Sequence, residues 1–432
     1  MYFPAFKKLF TDPWSWRKTD FFRHTSTLVG GVGLAQMIPF LLSPVISRLY
    51  FPEDYAVLAA YTSLTVLLSV VATGMYSSAL MTDKTDREAV NTAMAAFLVS
   101  LTVAAISLFV VLLFRVPLAG LTGNVRVLRW LFFLPLTVLF AGGSHTLMIW
   151  NNRRKRYRRL ALNRVVQAVT LTGVTLALGF AGYRHSGLLV GLLSGQGAAF
   201  VVLLTQTWAS ERTMLQAISA SAIKSAFRRH VDFPKYNMPQ GFLDGIRESG
   251  ILIIISNYFG AAVLGSFSFA MSILNKPLQL VGQPVTQVFY QQAAEKHQKA
   301  QSIRTLTRRT ILMLFVLFLP VLILFVGWGE PVFSWVFGDN WSTAGGFAQI
   351  LILWMLFRFV NAPLSTIPLI LKRQRTFFWF GAVNNISLPL ALLLCGLGGY
   401  PASTGMLVLT ILGCLNMLAQ IIWITSLNKN TR

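Results

Sequence analysis

Apolar runs of about 20 residues or more follow one another along almost the whole chain, separated by short polar turns. A run of about 20 apolar residues is the length a helix needs to cross the hydrocarbon core of a bilayer. The pattern predicts about twelve membrane-spanning helices with both chain termini on the same side. They are expected at about residues 25–46, 55–81, 92–114, 125–150, 160–181, 187–207, 237–258, 262–290, 311–328, 346–371, 377–397 and 403–426.

The composition agrees with this pattern. Of the 432 residues, 55% are hydrophobic and only 12% are charged. A soluble globular chain carries roughly twice that share of charged residues. We therefore predict an all-α polytopic membrane protein with no soluble domain.

The net charge of +23 would suggest a nucleic-acid partner in a soluble chain. Here most of the Lys and Arg residues collect in turns that the spans place on one side of the membrane. Basic loops stay in the cytoplasm and attract anionic membrane lipids, so the charge indicates topology rather than nucleic acid. The chain is predicted to lie in the cytoplasmic (inner) membrane with both termini in the cytoplasm. The basic segments are residues 1–24, 82–91, 151–159, 208–236, 291–309, 372–376 and the C-terminal tail.

The spans fall into two halves. Residues 1–24 are predicted to form a cytoplasmic amphipathic segment, 25–210 an N-lobe of helices 1 to 6, 211–236 a basic cytoplasmic linker, 237–427 a C-lobe of helices 7 to 12, and 428–432 a cytoplasmic tail. Because each half has an even number of spans, both enter the membrane from the same side. The lobes are then related by a pseudo-two-fold axis along the membrane normal, with a substrate site expected between them.

Three ionisable residues lie within five positions of the seventh span: Asp244, Arg247 and Glu248. They are three and four residues apart, so they share one helix face. A charge near the centre of a spanning helix costs about 2.5–3.5 kcal/mol on insertion scales, and such residues usually face a partner or a watery cavity. Two interpretations stay open: an ion pair within the helix with a carboxylate reaching toward the headgroups, or the wall of a polar translocation cavity.

Further cations lie in or beside apolar runs. Lys276 precedes Pro277 in the middle of the eighth span, and Arg358 lies in the middle of the tenth. Arg23 and Arg48 stand near opposite ends of the first span. Amide side chains that could hydrogen-bond sugar hydroxyls are also present inside spans, although such residues often join helices instead. They are Gln36, Asn163, Gln196, Asn257, Gln283, Gln287, Asn384 and Asn385.

Four strings carry a family resemblance: Ser47–Tyr55, Leu264–Ala270, Leu274–Leu278 and Val285–Tyr290. With them the chain resembles the polysaccharide-exporter (Wzx-type oligosaccharide flippase) branch of the multidrug/oligosaccharidyl-lipid/polysaccharide (MOP) flippase superfamily. That superfamily also holds the multidrug MATE antiporters and the lipid II flippase. Ala56 stands where the family often has glycine. The resemblance covers nearly the whole chain, and its motifs indicate the superfamily better than the cargo.

The resemblance implies two lobes around a central cavity that opens alternately to either side, and a cargo of undecaprenyl-diphosphate-linked oligosaccharide, a repeat unit of O-antigen or exopolysaccharide. A diphosphate carries about two negative charges and needs cationic partners away from water, preferably Arg. The predicted substrate-binding residues are Arg48, Arg247, Lys276, Arg358 and Arg23, and the predicted ion-coupling residues are Asp244 and Glu248. No cofactor, catalytic residue or metal site is predicted. Transport is predicted to be coupled to a proton or sodium gradient.

Three alternatives remain. A cation-coupled multidrug antiporter of the same fold would need acids at the centre of the cavity, opposite to the balance here. A lipid II flippase often carries extra helices. A membrane enzyme would display its acids or histidines on a sizeable outer loop, and the loops here are short. Besides the lipid-linked glycan and membrane lipids, the expected partners are a polysaccharide polymerase and glycosyltransferases.

Overall fold

The computed structural model of the chain describes residues 33, 35–299 and 301–427. Across these residues the secondary structure consists of helices and short turns, without a β-strand. The predicted all-α fold is confirmed. The amphipathic segment 1–24, which includes Arg23, and the tail 428–432 lie outside the described residues.

The α-helices differ widely in length, and several are joined by single π-helical turns. The π-helical turns are Phe233–Asn237, Ile255–Phe259 and Leu278–Gly282. The α-helices are α1 (Ser43–Leu49), α2 (Pro52–Val71), α3 (Tyr76–Ala79), α4 (Asp86–Leu121), α5 (Leu134–Arg153), α6 (Tyr157–Phe180), α7 (Arg184–Leu215), α8 (Ala220–Arg229), α9 (Met238–Ile254), α10 (Ala261–Leu274), α11 (Gln283–Gln298), α12 (Arg304–Phe337), α13 (Ser342–Leu364), α14 (Ile367–Ile370), α15 (Gln374–Leu397) and α16 (Ala402–Leu427).

Nine helices in the described part of the chain are long and apolar enough to cross a membrane, which makes this a multi-pass membrane protein. Two further predicted spans correspond to α9 and to the interrupted pair α10 and α11. Helix α9 carries Asp244, Arg247 and Glu248, which we call the charged turn. The first predicted span lies partly outside the described residues. The count of twelve stays a prediction.

The long helices expose one apolar face and bury another. Phe109 and Ile411 are 62% and 57% exposed, although both are large and apolar. On the inner faces of the same two helices, Ser107 is buried and Gly413 lies against the Trp354 ring. Small residues let helices approach closely where lipid supplies no hydrophobic drive for association. The outer faces are therefore suited to acyl chains and the inner faces to helix contacts.

Ion pairs gather at one end of the bundle, which we call the basic end. Arg153 and Arg154 both pair with Asp86, the first at 3.2 Å. Arg156 pairs with the buried Glu211 at 2.5 Å. These contacts join the turn between α5 and α6 to α4 and α7. The acids neutralise only part of the basic surface at this end.

The linker between the halves is docked on the first half at the basic end. His230, just after α8, lies 2.9 Å from the buried Asp83 carboxylate, measured from Nε2 to Oδ1. Arg229 pairs with Glu88 at 2.7 Å. The Phe227 ring meets Tyr76 edge to face. The start of the second half is thus held against the turn between α3 and α4.

Helix α2 of the first half packs along α9 and α10 of the second. It begins at Pro52, and Asp54 Oδ2 accepts a hydrogen bond from the Phe51 backbone N–H at 3.0 Å, which caps the start of the helix. Ser249 on α9 donates to the Ser63 carbonyl at 2.6 Å. This contact joins the two halves near the middle of α2.

The eighth predicted span is not one continuous helix. Helix α10 ends at Leu274, residue 275 forms a turn, and a π-helical turn at Leu278–Gly282 leads into α11. Pro277 has no backbone N–H to donate to the preceding turn, and such positions commonly kink or widen a helix. The predicted single span from 262 to 290 is therefore corrected to two helices that meet at a break.

Candidate functional site: a cationic cavity between the two halves

The charged turn of α9 shows features of both predicted arrangements, an ion pair within the helix and the wall of a polar cavity. Arg247 pairs with the neighbouring Glu248 at 3.3 Å, so an ion pair within the helix does exist. Asp244 does not join it but accepts a hydrogen bond from the Asn385 amide of α15 at 2.6 Å. All three charged residues also line cavities. The charged turn therefore forms part of a cavity wall, and the Arg247–Glu248 ion pair neutralises part of its charge.

A cavity of about 410 Å³ opens between α2 of the first half and α9, α10, α13, α15 and α16 of the second. Arg247 and Arg358 both line it, together with Glu248. Most of the remaining wall is apolar or weakly polar. Those residues are Tyr55, Leu58, Ala59, Thr62, Ile251, Leu252, Phe267, Ser268, Met271, Ser272, Asn275, Trp354, Asn384 and Met417. We call this space the central cavity.

Arg358 reaches the central cavity from α13 without a carboxylate partner among the described residues. Its guanidinium lies over the Trp354 ring, 5.3 Å from the centroid, and within 3.8 Å of the Met355 sulfur. A cation over an aromatic face gains modest stabilisation and keeps its hydrogen-bond donors free in the plane of the guanidinium. Arg358 is therefore positioned to bind an anion.

A smaller space of about 210 Å³ adjoins the central cavity on the side of α15. Asp244 and Arg247 line it from α9, and Asn384 and Asn385 from α15. Asn416 donates to Ser387 at 3.0 Å in the adjoining helix pair. Arg247 and Asn384 thus border both spaces, which places a charge and an amide between them.

The other predicted cations lie elsewhere. Lys276 is half-buried at the break between α10 and α11 and does not line the central cavity or the space beside it. No ion pair joins it to Asp244 or Glu248. Arg48 is exposed at the end opposite the basic end, where it donates to the Trp335 carbonyl at 3.3 Å. Arg23 lies outside the described residues.

The structure adds a cation that the sequence did not single out. Arg164 on α6 is half-buried and lines a separate cavity of about 450 Å³, formed by Gly33 and Gln36, α5, α6 and the segment 279–287. We call it the amide-lined cavity. Its position four residues inside an apolar run is the signal that the sequence offers. Gln36, Gln283 and Gln287 line the same cavity.

The two halves meet closely at the end opposite the basic end, which we call the closed end. Trp341 is fully buried there and donates from Nε1 to the Ser47 carbonyl at 2.8 Å. Ser47 Oγ donates in turn to the Phe337 carbonyl at 2.9 Å. The Tyr55 ring packs edge to face against Phe269 and Trp341 at 5.1 and 5.0 Å. Since Tyr55 also lines the central cavity, this aromatic cluster lies against one end of it.

Residues 45–345 match the sequence model of the polysaccharide biosynthesis protein family. This chain belongs to that family. The chain is also 24% identical over 366 residues to the succinoglycan biosynthesis transport protein ExoT of Rhizobium meliloti (strain 1021), an alignment that covers 81% of this chain and 69% of ExoT. The predicted resemblance to polysaccharide exporters is confirmed.

Two solved structures share the fold of this family member. An inward-facing multidrug resistance MATE transporter of the MOP superfamily aligns with a TM-score of 0.70 at 11% identity, covering 92% of this chain and 95% of the transporter. The lipid II flippase MurJ, in an inward closed conformation, aligns with a TM-score of 0.69 at 14% identity, covering 92% and 90%. At such low identity these likenesses establish the fold alone. The family match and the ExoT relative indicate a transport protein rather than an enzyme.

Proposed function

We propose that the chain is a flippase that moves an undecaprenyl-diphosphate-linked oligosaccharide, a repeat unit of an O-antigen or exopolysaccharide, across the cytoplasmic membrane. One observation carries the proposal: Arg247 and Arg358 line one cavity between the halves, opposed by Glu248 alone among its lining carboxylates. Two guanidiniums in a water-poor space favour a diphosphate, since Arg forms forked, charge-assisted hydrogen bonds with phosphate oxygens. The family and the ExoT relative support a saccharide cargo.

The same balance of charge opposes a drug antiporter. A cationic drug needs carboxylates in excess of cations, and here Glu248 already pairs with Arg247 while Asp244 is engaged by Asn385. A lipid II flippase would carry a related diphosphate cargo, so charge does not separate it from the leading proposal. The chain would be expressed in one strain that lacks its polysaccharide flippase and in another that lacks its lipid II flippase. Restored polymer export in the first, without restored cell-wall synthesis in the second, would support the leading proposal over a lipid II flippase.

Alternating access is the proposed mechanism. The aromatic cluster of Tyr55, Phe269 and Trp341 lies against the central cavity at the closed end. The basic end would face the cytoplasm, because positive loops are retained there. The cargo would then enter from the cytoplasmic side, and separation of the two halves at the closed end would release it. Reporter fusions to both chain ends test this orientation, which requires both to stay cytoplasmic.

Export of polymer by cells that depend on this chain tests the cavity directly. We expect Arg247→Ala and Arg358→Ala each to weaken cargo binding about tenfold or more, since a hydrogen bond to a charged group contributes about 1.5–3 kcal/mol. Lys276→Ala tests whether the cation at the helix break also contributes. Arg309→Ala, an exposed cation outside the cavity, is the matched control. Normal export from both arginine variants, at normal protein levels, would overturn the proposal.

Asp244 and Glu248 are the proposed coupling residues for a proton or sodium gradient. Both lie beside Arg247 in the cavity wall, where a change in protonation or bound ion would alter the charge that faces the cargo. Transport into vesicles with imposed proton or sodium gradients tests this idea. We expect Asp244→Asn or Glu248→Gln to remove the response to one gradient. No response to either gradient in the parent protein would exclude coupling of this kind.

The cargo chemistry also implies partners. Glycosyltransferases would build the lipid-linked unit on the cytoplasmic side, and a polysaccharide polymerase would consume it after transfer. Crosslinking in membranes, followed by identification of the captured proteins, tests for such complexes. Recovery of neither class of enzyme would indicate that the cargo passes between the proteins by diffusion through the membrane.

A further inference from the structure

The amide-lined cavity contains chemistry that differs from that of the central cavity. Its volume is about 450 Å³, slightly larger than the 410 Å³ of the central cavity. One guanidinium, from Arg164, and five carboxamides line it, beside a few apolar side chains. The carboxamides are those of Gln36, Asn152, Gln279, Gln283 and Gln287, and the apolar residues include Met148, Leu160 and Leu280.

These polar groups are free to bind a ligand. No hydrogen bond joins the five carboxamides to other side chains or carbonyls in the described ranges, and the amide oxygen of Gln279 is buried without a partner. Arg164 has no carboxylate partner there, and its one hydrogen bond among the described residues goes to the Gln167 amide oxygen, at 3.5 Å. Unpaired polar groups inside a membrane protein are costly. A ligand with many hydroxyl groups would satisfy them.

Carboxamides match such a ligand well. Each amide offers two N–H donors and one carbonyl acceptor, and each sugar hydroxyl is both donor and acceptor. The apolar residues between the amides can contact the C–H faces of sugar rings. An acyl chain would leave all five amides unsatisfied, and a lone phosphate would use Arg164 but few of the carbonyl oxygens. The lining therefore favours a saccharide.

The interrupted eighth span connects the two cavities. Residues 267–275 before the break line the central cavity, and residues 279–287 after it line the amide-lined cavity. Asn275 and Gln279 are only four positions apart, which is roughly 6 Å along a helix at 1.5 Å per residue. Along this span the nearest lining residues of the two cavities are therefore about one helical turn apart, a spacing that a ligand a few sugars long would cover.

We propose that the amide-lined cavity is a binding site for the saccharide part of the cargo, while Arg247 and Arg358 hold the diphosphate in the central cavity. The proposal rests on the proposed flippase function and assigns the second site to a different part of the same molecule. Gln283 and Gln287 on α11, with Asn152 on α5, would contact sugar hydroxyls, and Arg164 would accommodate an acidic sugar or a hydroxyl-rich ring.

Single cysteines report occupancy at each site. The chain has two native cysteines, Cys395 and Cys414, and both are buried, so background labelling is low. Gln283→Cys reports the amide-lined cavity and Ser272→Cys the central cavity. Each variant, as full-length protein in nanodiscs, is labelled with a maleimide in the presence of one of two probes. The first probe is farnesyl diphosphate, which has no sugar; the second is lipid-linked saccharide extracted from polymerase-deficient cells of the native host.

We expect the saccharide-bearing probe to slow labelling of Gln283→Cys and farnesyl diphosphate to leave it unchanged. In binding measurements, Gln287→Leu should weaken the saccharide-bearing probe about fivefold, the usual effect of losing one neutral hydrogen bond, and leave farnesyl diphosphate unaffected. Gln298→Leu, exposed on the same helix outside the cavity, is the matched control. Equal labelling of Gln283→Cys with and without the saccharide probe, or equal protection by both probes, would overturn the saccharide site.

Failure of the proposed function gives a different result. If the diphosphate site is wrong, farnesyl diphosphate will not protect Ser272→Cys, whatever happens at Gln283→Cys. Protection at Ser272→Cys without selective protection at Gln283→Cys retains the flippase and rejects only the saccharide site. The two reporters therefore separate the two hypotheses.

Discussion

Gly265→Ala is the sharpest test of the closed end, because Gly265 on α10 touches the backbone of α2. A Cβ placed at Gly265 would lie 1.7 Å from the Pro52 carbonyl oxygen and 2.5 Å from its carbon. Neither atom belongs to a flexible side chain, so the two helices themselves must move. Ordinary contact begins near 3.4 Å, which requires a separation of about 1.7 Å at this point.

The expected cost follows from overpacking. Forcing a methyl group into a packed contact typically costs about 1–3 kcal/mol. In the proposed mechanism, the protein exchanges between a state in which the halves touch at the closed end and a state in which they are separated there. A cost of this size that falls only on the touching state shifts the equilibrium toward the separated state by about 5- to 150-fold, because a substitution shifts an equilibrium only by its different effect on the two states. Gly265→Ala should therefore open the cavity to the outside more often and lower transport.

Labelling of a buried reporter measures this opening. Ala59 lines the central cavity and is 4% exposed, so Ala59→Cys should react slowly with a membrane-impermeant maleimide added to intact cells. Adding Gly265→Ala should raise the rate about fivefold or more, by the same bias. Gly346→Ala is the matched control, because a Cβ there meets nothing within 4 Å.

An unchanged labelling rate in the Gly265→Ala variant, with normal amounts of folded protein in the membrane, would refute the role of this contact. If that variant is poorly produced, Trp341→Phe provides a milder test. It removes the hydrogen bond to the Ser47 carbonyl and part of the ring volume, but keeps an aromatic ring in the cluster. It too should speed labelling of Ala59→Cys, by less than Gly265→Ala.

Three other variants test the packing at and around the site. Asp83→Asn removes the charge that faces the buried His230. We expect it to lower the free energy of unfolding by about 1–3 kcal/mol, and so to lower the Tm and speed proteolysis of the linker. An unchanged melting curve would argue against docking of the linker. Tyr50→Phe leaves the Thr175 carbonyl without its 2.7 Å donor and should destabilise the protein by a similar amount, whereas equal thermal stability would contradict the assigned bond. Asn385→Leu removes the amide that holds Asp244 and should slow transport at normal protein levels; full activity would show that this bond is dispensable.

Much of the fold was predictable because hydropathy acts locally. Each span is recognised from its own residues, and capping of α2 at Pro52 and Asp54 follows from neighbours in the chain. The turn at Gly260, whose φ of 91° favours glycine, was also placed correctly between the seventh and eighth spans. The eighth span was placed as one run of residues, because an average over an apolar window hides one turn of altered hydrogen bonding at residue 275.

The candidate site was partly predictable for the same reason. Arg247 and Arg358 stood out as charges inside apolar runs, and the structure places both on one cavity. Lys276 has the same sequence signal, yet it lies at the helix break, outside the lining of that cavity. Arg164 lies close to the basic turn 151–159 and was not singled out. Burial of a charge can be inferred from sequence, but the direction in which its side chain points depends on how the helices pack.

The amino-acid sequence alone determined the membrane class, the approximate spans, the clustering of positive charge in the turns and the presence of charged residues within apolar runs. These properties depend on transfer of each segment from water to lipid, and nearby residues decide that free energy. Only the tertiary structure decided that Trp341 seals against Ser47 across the two halves, and that Gln36, Arg164 and Gln283 share one cavity. Contacts between residues hundreds of positions apart depend on the packing of whole helices, for which a local pattern carries no signal.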